Sequence, residues 1–223
     1  MADLAQIENA ARAAYIFGLP YIEMARTRAA FLRDGRPTGR FVHTRRLTTV
    51  ADRWVTTPNN DTLYSSAWLD LGQGPVALDT PEFGARDWSV ALMAMTTTNF
   101  AIPGTRSHGN RPGRFLIVGP GWEGDAGDRV VLRAPTRWVW ALARIVVDGA
   151  ADEAAVHGVQ DGLVLTPTAA RWAHAGRSMA GQFHRPRSAC SAPITGCAYR
   201  SHWAGSRHCR WRRRCICQPE GRF

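Results

Sequence analysis

Leu4, Ile7, Ala11, Ala14 and Tyr15 recur at the three- and four-residue spacing of one helical face, and Gly18-Leu19-Pro20 predicts where that helix stops. A second helix is expected over residues 22–32, closed by the turn signal Asp34-Gly35-Arg36-Pro37. From residue 41 the texture changes to short apolar runs punctuated by Gly, Pro, Asn and Asp. These runs predict strands over residues 54–56, 62–71, 76–78, 88–95, 115–118, 130–133 and 138–147. In the run 88–95 one face reads Trp88, Val90, Leu92, Ala94 and the other Ser89, Ala91, Met93, Met95. A strand apolar on both faces lies between two layers, so the expected fold is mainly β with helical additions. It is an α+β arrangement in which an antiparallel β-sandwich follows N-terminal helices. Asp148-Gly149 then turns into a short helix over 152–160, with Asp152 and Glu153 at its positive end.

The pattern fails near residue 178. Beyond it the text becomes Arg, Cys, His, Trp, Ser and Pro, and composition confirms the break. The formal charge is +10, yet residues 1–176 hold 18 Arg against 17 acids, and residues 177–223 hold 10 Arg against Glu220 alone. All five Cys lie in that tail. The sequence pI of 10.6 therefore describes a near-neutral body with a basic appendix. Three segments are expected: N-terminal helices over 1–40, a sandwich domain with its short helix over 41–176, and a basic tail over 177–223. The tail's Cys spacings fit no paired zinc template. Its Arg cluster with Trp203 and Trp211 is the raw material of a nucleic-acid arm. An Arg-, Cys- and Trp-rich text without Lys is also what GC-rich DNA gives in a wrong frame, so the tail is expected to be out of frame or truncated, and disordered.

All 28 basic residues are Arg. The absence of Lys excludes a P-loop lysine and Schiff-base catalysis on this chain. The N-terminus lacks the basic start and apolar run of a secretory signal, and the longest charge-free stretch, 88–105, is too polar to span a bilayer. These features predict a soluble cytoplasmic protein, or a periplasmic one if an export signal was lost. No cofactor is implied. The four His of the body (43, 108, 157 and 174) have no paired spacing, so no metal is expected either.

The densest text is 41–47 (FVHTRRL) and 57–71 (TPNNDTLYSSAWLDL), followed by Thr98-Asn99-Phe100, Gly104-Thr105-Arg106, Val118-Gly119-Pro120-Gly121-Trp122 and 134–140 (APTRWVW). Over about residues 5–170 these blocks closely resemble the bacterial family called domain of unknown function 1254. The resemblance implies a β-sandwich with helical additions and no established activity. It also implies a second β-rich domain where this chain turns to Arg and Cys.

Within those blocks, Pro58-Asn59-Asn60-Asp61 reads as an Asx-type turn feeding a strand into the core through Leu63 and Trp68. The functional alternative places Asn60, Asp61 and Tyr64 at a strand mouth as ligands for a small molecule. His43 is the one body histidine inside a dense motif, with Asp61 as its candidate orienting carboxylate. Arg106 and Arg144 are the candidate buried or anion-facing guanidiniums, the plain reading being a buried pair with Asp61 or Asp70. Ser107 and His108 are adjacent, but neighbouring side chains diverge on a strand. Gly119 to Gly124 lacks the Lys and following helix of a phosphate loop and reads as a rigid loop exposing Trp122.

Three functions compete. The first is a hydrolase or lyase on a small organic or carbohydrate substrate, with His43, Asp61 and Arg106 catalytic. The second is a non-catalytic ligand-binding or envelope-associated β-module using Asn60, Tyr64 and Trp122. The third is nucleic-acid binding through the tail, against which the near-neutral body speaks. The ligand and the oligomeric state are not written in the sequence.

Overall fold

The computed structural model describes residues 3–53 and 59–168. The chain divides into two compact units, Met1–Ala175 and Gly176–Phe223, and every described residue belongs to the first. The strand expected over 54–56 and the basic tail lie outside the described residues.

One helix, α1 (Leu4–Arg33), replaces the two expected ones, with Pro20 inside it. Pro20 removes one amide donor, but the segment around it is solvent-exposed on most sides, so water can take up the freed carbonyl. At 1.5 Å per residue the helix is about 45 Å long. Its C-terminal half docks through Met24 and Phe31, while Ile7, Tyr15, Ile16 and Phe17 in the other half are exposed.

Two sheets follow. The first orders β1 (Val42–His43), β2 (Thr62–Asp70), β8 (Trp138–Val146), β4 (Trp88–Ala94) and β5 (Asn99–Ala101). The second orders β7 (Val130–Arg133), β6 (Gly113–Val118), β3 (Val76–Thr80) and β9 (Val164–Pro167). Every pairing is antiparallel except β6 with β7, which run parallel, so the second sheet is mixed where a purely antiparallel sandwich was expected. A short helix α2 (Thr105–His108) follows β5, and α3 (Glu153–Asp161) precedes β9 behind a 3-10 turn at Ala150–Asp152. Among the described residues no helix is long and apolar enough to cross a membrane.

Alternation along the strands sorts the side chains into layers. Leu63, Ala67 and Leu69 of β2, Val139, Ala141, Ala143 and Ile145 of β8, and Trp88, Val90 and Leu92 of β4 face Val76, Leu78, Phe115 and Ile117 across the sandwich. The opposite face of the first sheet carries Thr62, Tyr64, Ser66 and Trp68 on β2. Trp68 is fully buried there because α1 covers it with Met24 and Phe31, and its ring stacks on Trp140 at 5.8 Å. Toward the start of β2 and the end of β8 the same face is not covered by Met24 or Phe31. It carries Thr62, Tyr64, Ser89, Arg144 and Val146, none of them buried. That uncovered end is where the site lies.

Candidate functional site

Strand pairing brings Thr62 opposite Val146, Tyr64 opposite Arg144, and Ser89 opposite Arg144 from the other side. Thr62, Ser89, Arg144 and Val146 form the floor of a hollow of about 510 Å³ whose far wall is the segment Ile102 to Ser107. The wall is held against β4 by main-chain contacts. Val90 N donates to Pro103 O at 2.8 Å, and Trp88 N donates to Thr105 Oγ1 at 3.0 Å. Gly104 makes this approach possible, since a β-carbon there would lie 2.6 Å from the Trp88 carbonyl oxygen.

The hollow holds two guanidiniums, Arg106 from the wall and Arg144 from the floor. Both are exposed, and neither forms an ion pair among the described residues. Arg144 packs over the Tyr64 ring at 5.5 Å. The expectation that one of them is a buried partner of Asp61 or Asp70 is corrected. Asp70 is held by Arg137 at 2.6 and 2.7 Å, and that pairing keeps its carboxyl below the usual range. Thr62, Ser89, Ser107 and Asp87 line the hollow with the two arginines. The Thr62 hydroxyl is buried and has no hydrogen-bond partner. Ile102 and Val146, 51% and 37% exposed, give the hollow apolar surface.

Ser107 and His108 do not diverge as a strand would require, because they lie on α2, and His108 Nδ1 is 2.8 Å from Ser107 Oγ. Ser107 Oγ donates to the Ile102 carbonyl at 3.0 Å and accepts from Gly104 N at 3.1 Å, which makes it a brace for the wall.

His43 is elsewhere. It stands opposite Ser65 on the core-facing side of the first sheet, with Nδ1 2.7 Å from Ser65 Oγ, whereas the two arginines occupy the outer face. The fully buried Gln160 of α3 donates to Ser65 Oγ at 3.1 Å and to the Tyr64 carbonyl at 3.1 Å. The Ser65 hydroxyl proton is thus available to Nδ1, a contact suited to a neutral ring. Burial first, and then the neighbouring Arg45, hold the His43 imidazole below its ordinary value, against a smaller upward pull from Asp161. The carboxylate near His43 is therefore Asp161, not Asp61. Asp161 is itself ion-paired to Arg45 and held low by it. Arg45 also donates to the His157 carbonyl at 3.0 Å, and His157 Nε2 contacts the Arg45 carbonyl at 2.7 Å. The cluster joins β1 and β2 to α3.

Asp61 and Asn60 sit exposed at the turn into β2. Asn59 makes the Asx turn, accepting from Asp61 N at 2.8 Å and Thr62 N at 3.2 Å, while the Asp61 carbonyl accepts from Val147 N at 2.9 Å. Trp122 corrects the expectation of an exposed aromatic. It is 8% exposed, packed on Ala77, Leu116 and Val118 on the outer side of the second sheet, with Arg133 donating to its carbonyl at 2.8 Å. Of the six residues named from sequence, the structure brings Arg106 to the hollow and sets Tyr64 against the Arg144 that lines it. His43 lies across the sheet, and Trp122 is on the other sheet. Sequence reasoning missed Thr62, Asp87 and Ser89 as lining residues: Thr62 lies in the 57–71 block but reads there as the start of a strand, and Asp87 and Ser89 belong to no motif. Among the described residues no group of three His, Cys, Asp or Glu is placed to hold a metal ion.

The family model described as "Protein of unknown function (DUF1254)" matches residues 38–167. The chain belongs to the DUF1254 family. Its matched region runs through both sheets and α3, and includes all of the residues of the hollow. A similar solved structure is the VPA0106 protein from Vibrio parahaemolyticus, at a TM-score of 0.59 and 24% identity. The match covers 69% of this chain and 36% of that one, so the DUF1254 chain spans about a third of that protein. The likeness concerns the fold. Among curated proteins nothing matches.

Proposed function

We propose that this DUF1254 domain is a binding module for a small carboxylate-bearing organic ligand, seated in the hollow between β2, β8, β4 and the Ile102–Ser107 wall. The observation that carries this reading is that Arg106 and Arg144, without carboxylate partners among the described residues, line one concavity. Arginines in folded proteins are ordinarily paired or solvated singly, and two guanidiniums in one hollow attract a planar anion that accepts from both. The hollow's size is that of a small-molecule site, and its hydroxyls and apolar wall suit a polar group on a short carbon frame.

The binding reading is favoured over a hydrolase or lyase because, among the described residues, no histidine lines the hollow, and Ser107 Oγ bonds to the backbone of its own wall. His43, Asp61 and Arg106 are not placed as one catalytic set. A thermal-shift panel tests the proposal. Short mono- and dicarboxylates at millimolar concentration should raise the melting temperature, and uncharged polyols of equal size should not. Equal shifts from both, or none from the acids, would count against it.

A further inference from the structure

The hollow does not end at Val146. A second depression of about 550 Å³ shares Asp87 and Val146 with it and continues past Arg86 to Asp148 and Asp152. Its charge is opposite. Asp152 is neutralised by Arg86, which donates to both its oxygens, but Asp87 and Asp148 are exposed and form no ion pair among the described residues. A basic lobe and an acidic lobe therefore meet at a common wall whose apolar member, Val146, is 37% exposed. The carboxylates of Asp87 and of Asp148, the latter within electrostatic reach of Arg86, would weaken a simple anion site beside them.

We propose that the two lobes form one cleft for an elongated zwitterion, a short peptide with both termini free. Its carboxylate would lie on Arg106 and Arg144, its backbone would cross Val146, and its ammonium would be held by Asp87 and Asp148. The proposal rests on the anion-binding reading and adds the second charge and the length. Arg144 and Asp148 are four residues apart, two of them beyond the end of β8, and at strand rise that is at most about 13 Å. Arg144 is long enough to shorten that gap, and an extended tripeptide spans about 10 Å between its ends.

Three ligands separate the claims when titrated calorimetrically into the full chain: triglycine, N-acetyl-triglycine and triglycine amide. Triglycine should bind at least tenfold more tightly than the acetylated form, and the amide should bind weakest. An Asp148→Asn variant should lose most of the preference for the free amine while binding N-acetyl-triglycine at least as tightly as wild type does. Asp148 lines only the acidic lobe and is exposed, and an unchanged melting temperature would establish that the variant folds. Equal affinity for triglycine and its acetylated form would overturn the zwitterion and leave the anion site standing. No binding of either free carboxylate, or undiminished binding of the amide, would overturn both.

Discussion

Arg144 stands directly opposite Tyr64 on neighbouring antiparallel strands, with its guanidinium carbon 5.5 Å from the ring centroid. The aromatic face orients the cation without neutralising it, since the ring offers no formal charge. A carboxylate partner would have cancelled the charge that the hollow presents. A face contact of this kind at an exposed position is worth about 0.5–1 kcal/mol. Tyr64→Leu should therefore weaken carboxylate binding about two- to fivefold by calorimetry, and Tyr64→Phe should leave it unchanged. A large loss in the phenylalanine variant would mean that the phenol itself touches the ligand.

Gly104 predicts a sharper effect. A β-carbon there would press on the Trp88 carbonyl, which is backbone and cannot rotate away. Gly104→Ala should push the Ile102–Ser107 wall off β4 and abolish carboxylate binding, with a lowered melting temperature. Retained affinity would place the anion away from that wall.

The pairing of Arg86 with Asp152 gives an acid-sensitivity prediction. Arg86 holds the Asp152 carboxyl down to about 2, against an ordinary 3.8. A lowered folded-state value means that the unfolded chain binds the proton first, so this stabilisation is present above about pH 4 and is lost as pH falls toward 2. Urea midpoints measured down that range should decline less steeply in Arg86→Ala than in wild type. Parallel declines would show that the pair contributes nothing in solution.

His43 separates structure from binding. Its folded-state value is lowered, so its contribution to stability is complete above about 6.5 and fades as pH falls through the lowered value. NMR titration should find a midpoint below 6.5, and His43→Ala should bind carboxylates as wild type does, because the ring lies across the sheet from the arginines. Loss of binding with an intact melting curve would restore His43 to the site. The buried amide of Gln160 has the complementary role, and Gln160→Leu should cost about 1–3 kcal/mol by removing its hydrogen bonds to Ser65 Oγ and to the Thr44 and Tyr64 carbonyls.

The β-runs were legible because alternation is local. Residues 88–95 carry their two-layer setting in their own text, and both Trp68 and Trp88 are buried as that pattern requires. β1, β5 and β9 were not legible, since none of them carries a run of apolar alternation and each is fixed by its partner strand. Pro20 misled because an interior proline disfavours a helix without always ending it, and here the carbonyl it frees, that of Ile16, lies in an exposed stretch. Arg106 was recognisable as an anion-facing candidate, but its partner in the hollow is Arg144, 38 positions on in the sequence. That pairing comes from the order of β2, β8 and β4. His43 and Asp61 lie in neighbouring motifs, yet Ser65 is the residue opposite His43, four positions along β2 from Asp61. At about 3.3 Å per residue that offset is about 13 Å. Motif proximity did not survive the register.

The central claim is that Arg106 and Arg144 together hold an anion. The most direct measurement is calorimetric titration of succinate into wild type, Arg106→Gln, Arg144→Gln and the double variant, each checked for an unchanged melting temperature. A hydrogen bond to a charged partner contributes about 1.5–3 kcal/mol, so each single variant should bind at least tenfold more weakly. The double variant should show no binding, and added salt should weaken wild type as it screens the two charges. Wild-type affinity in the double variant would contradict the account.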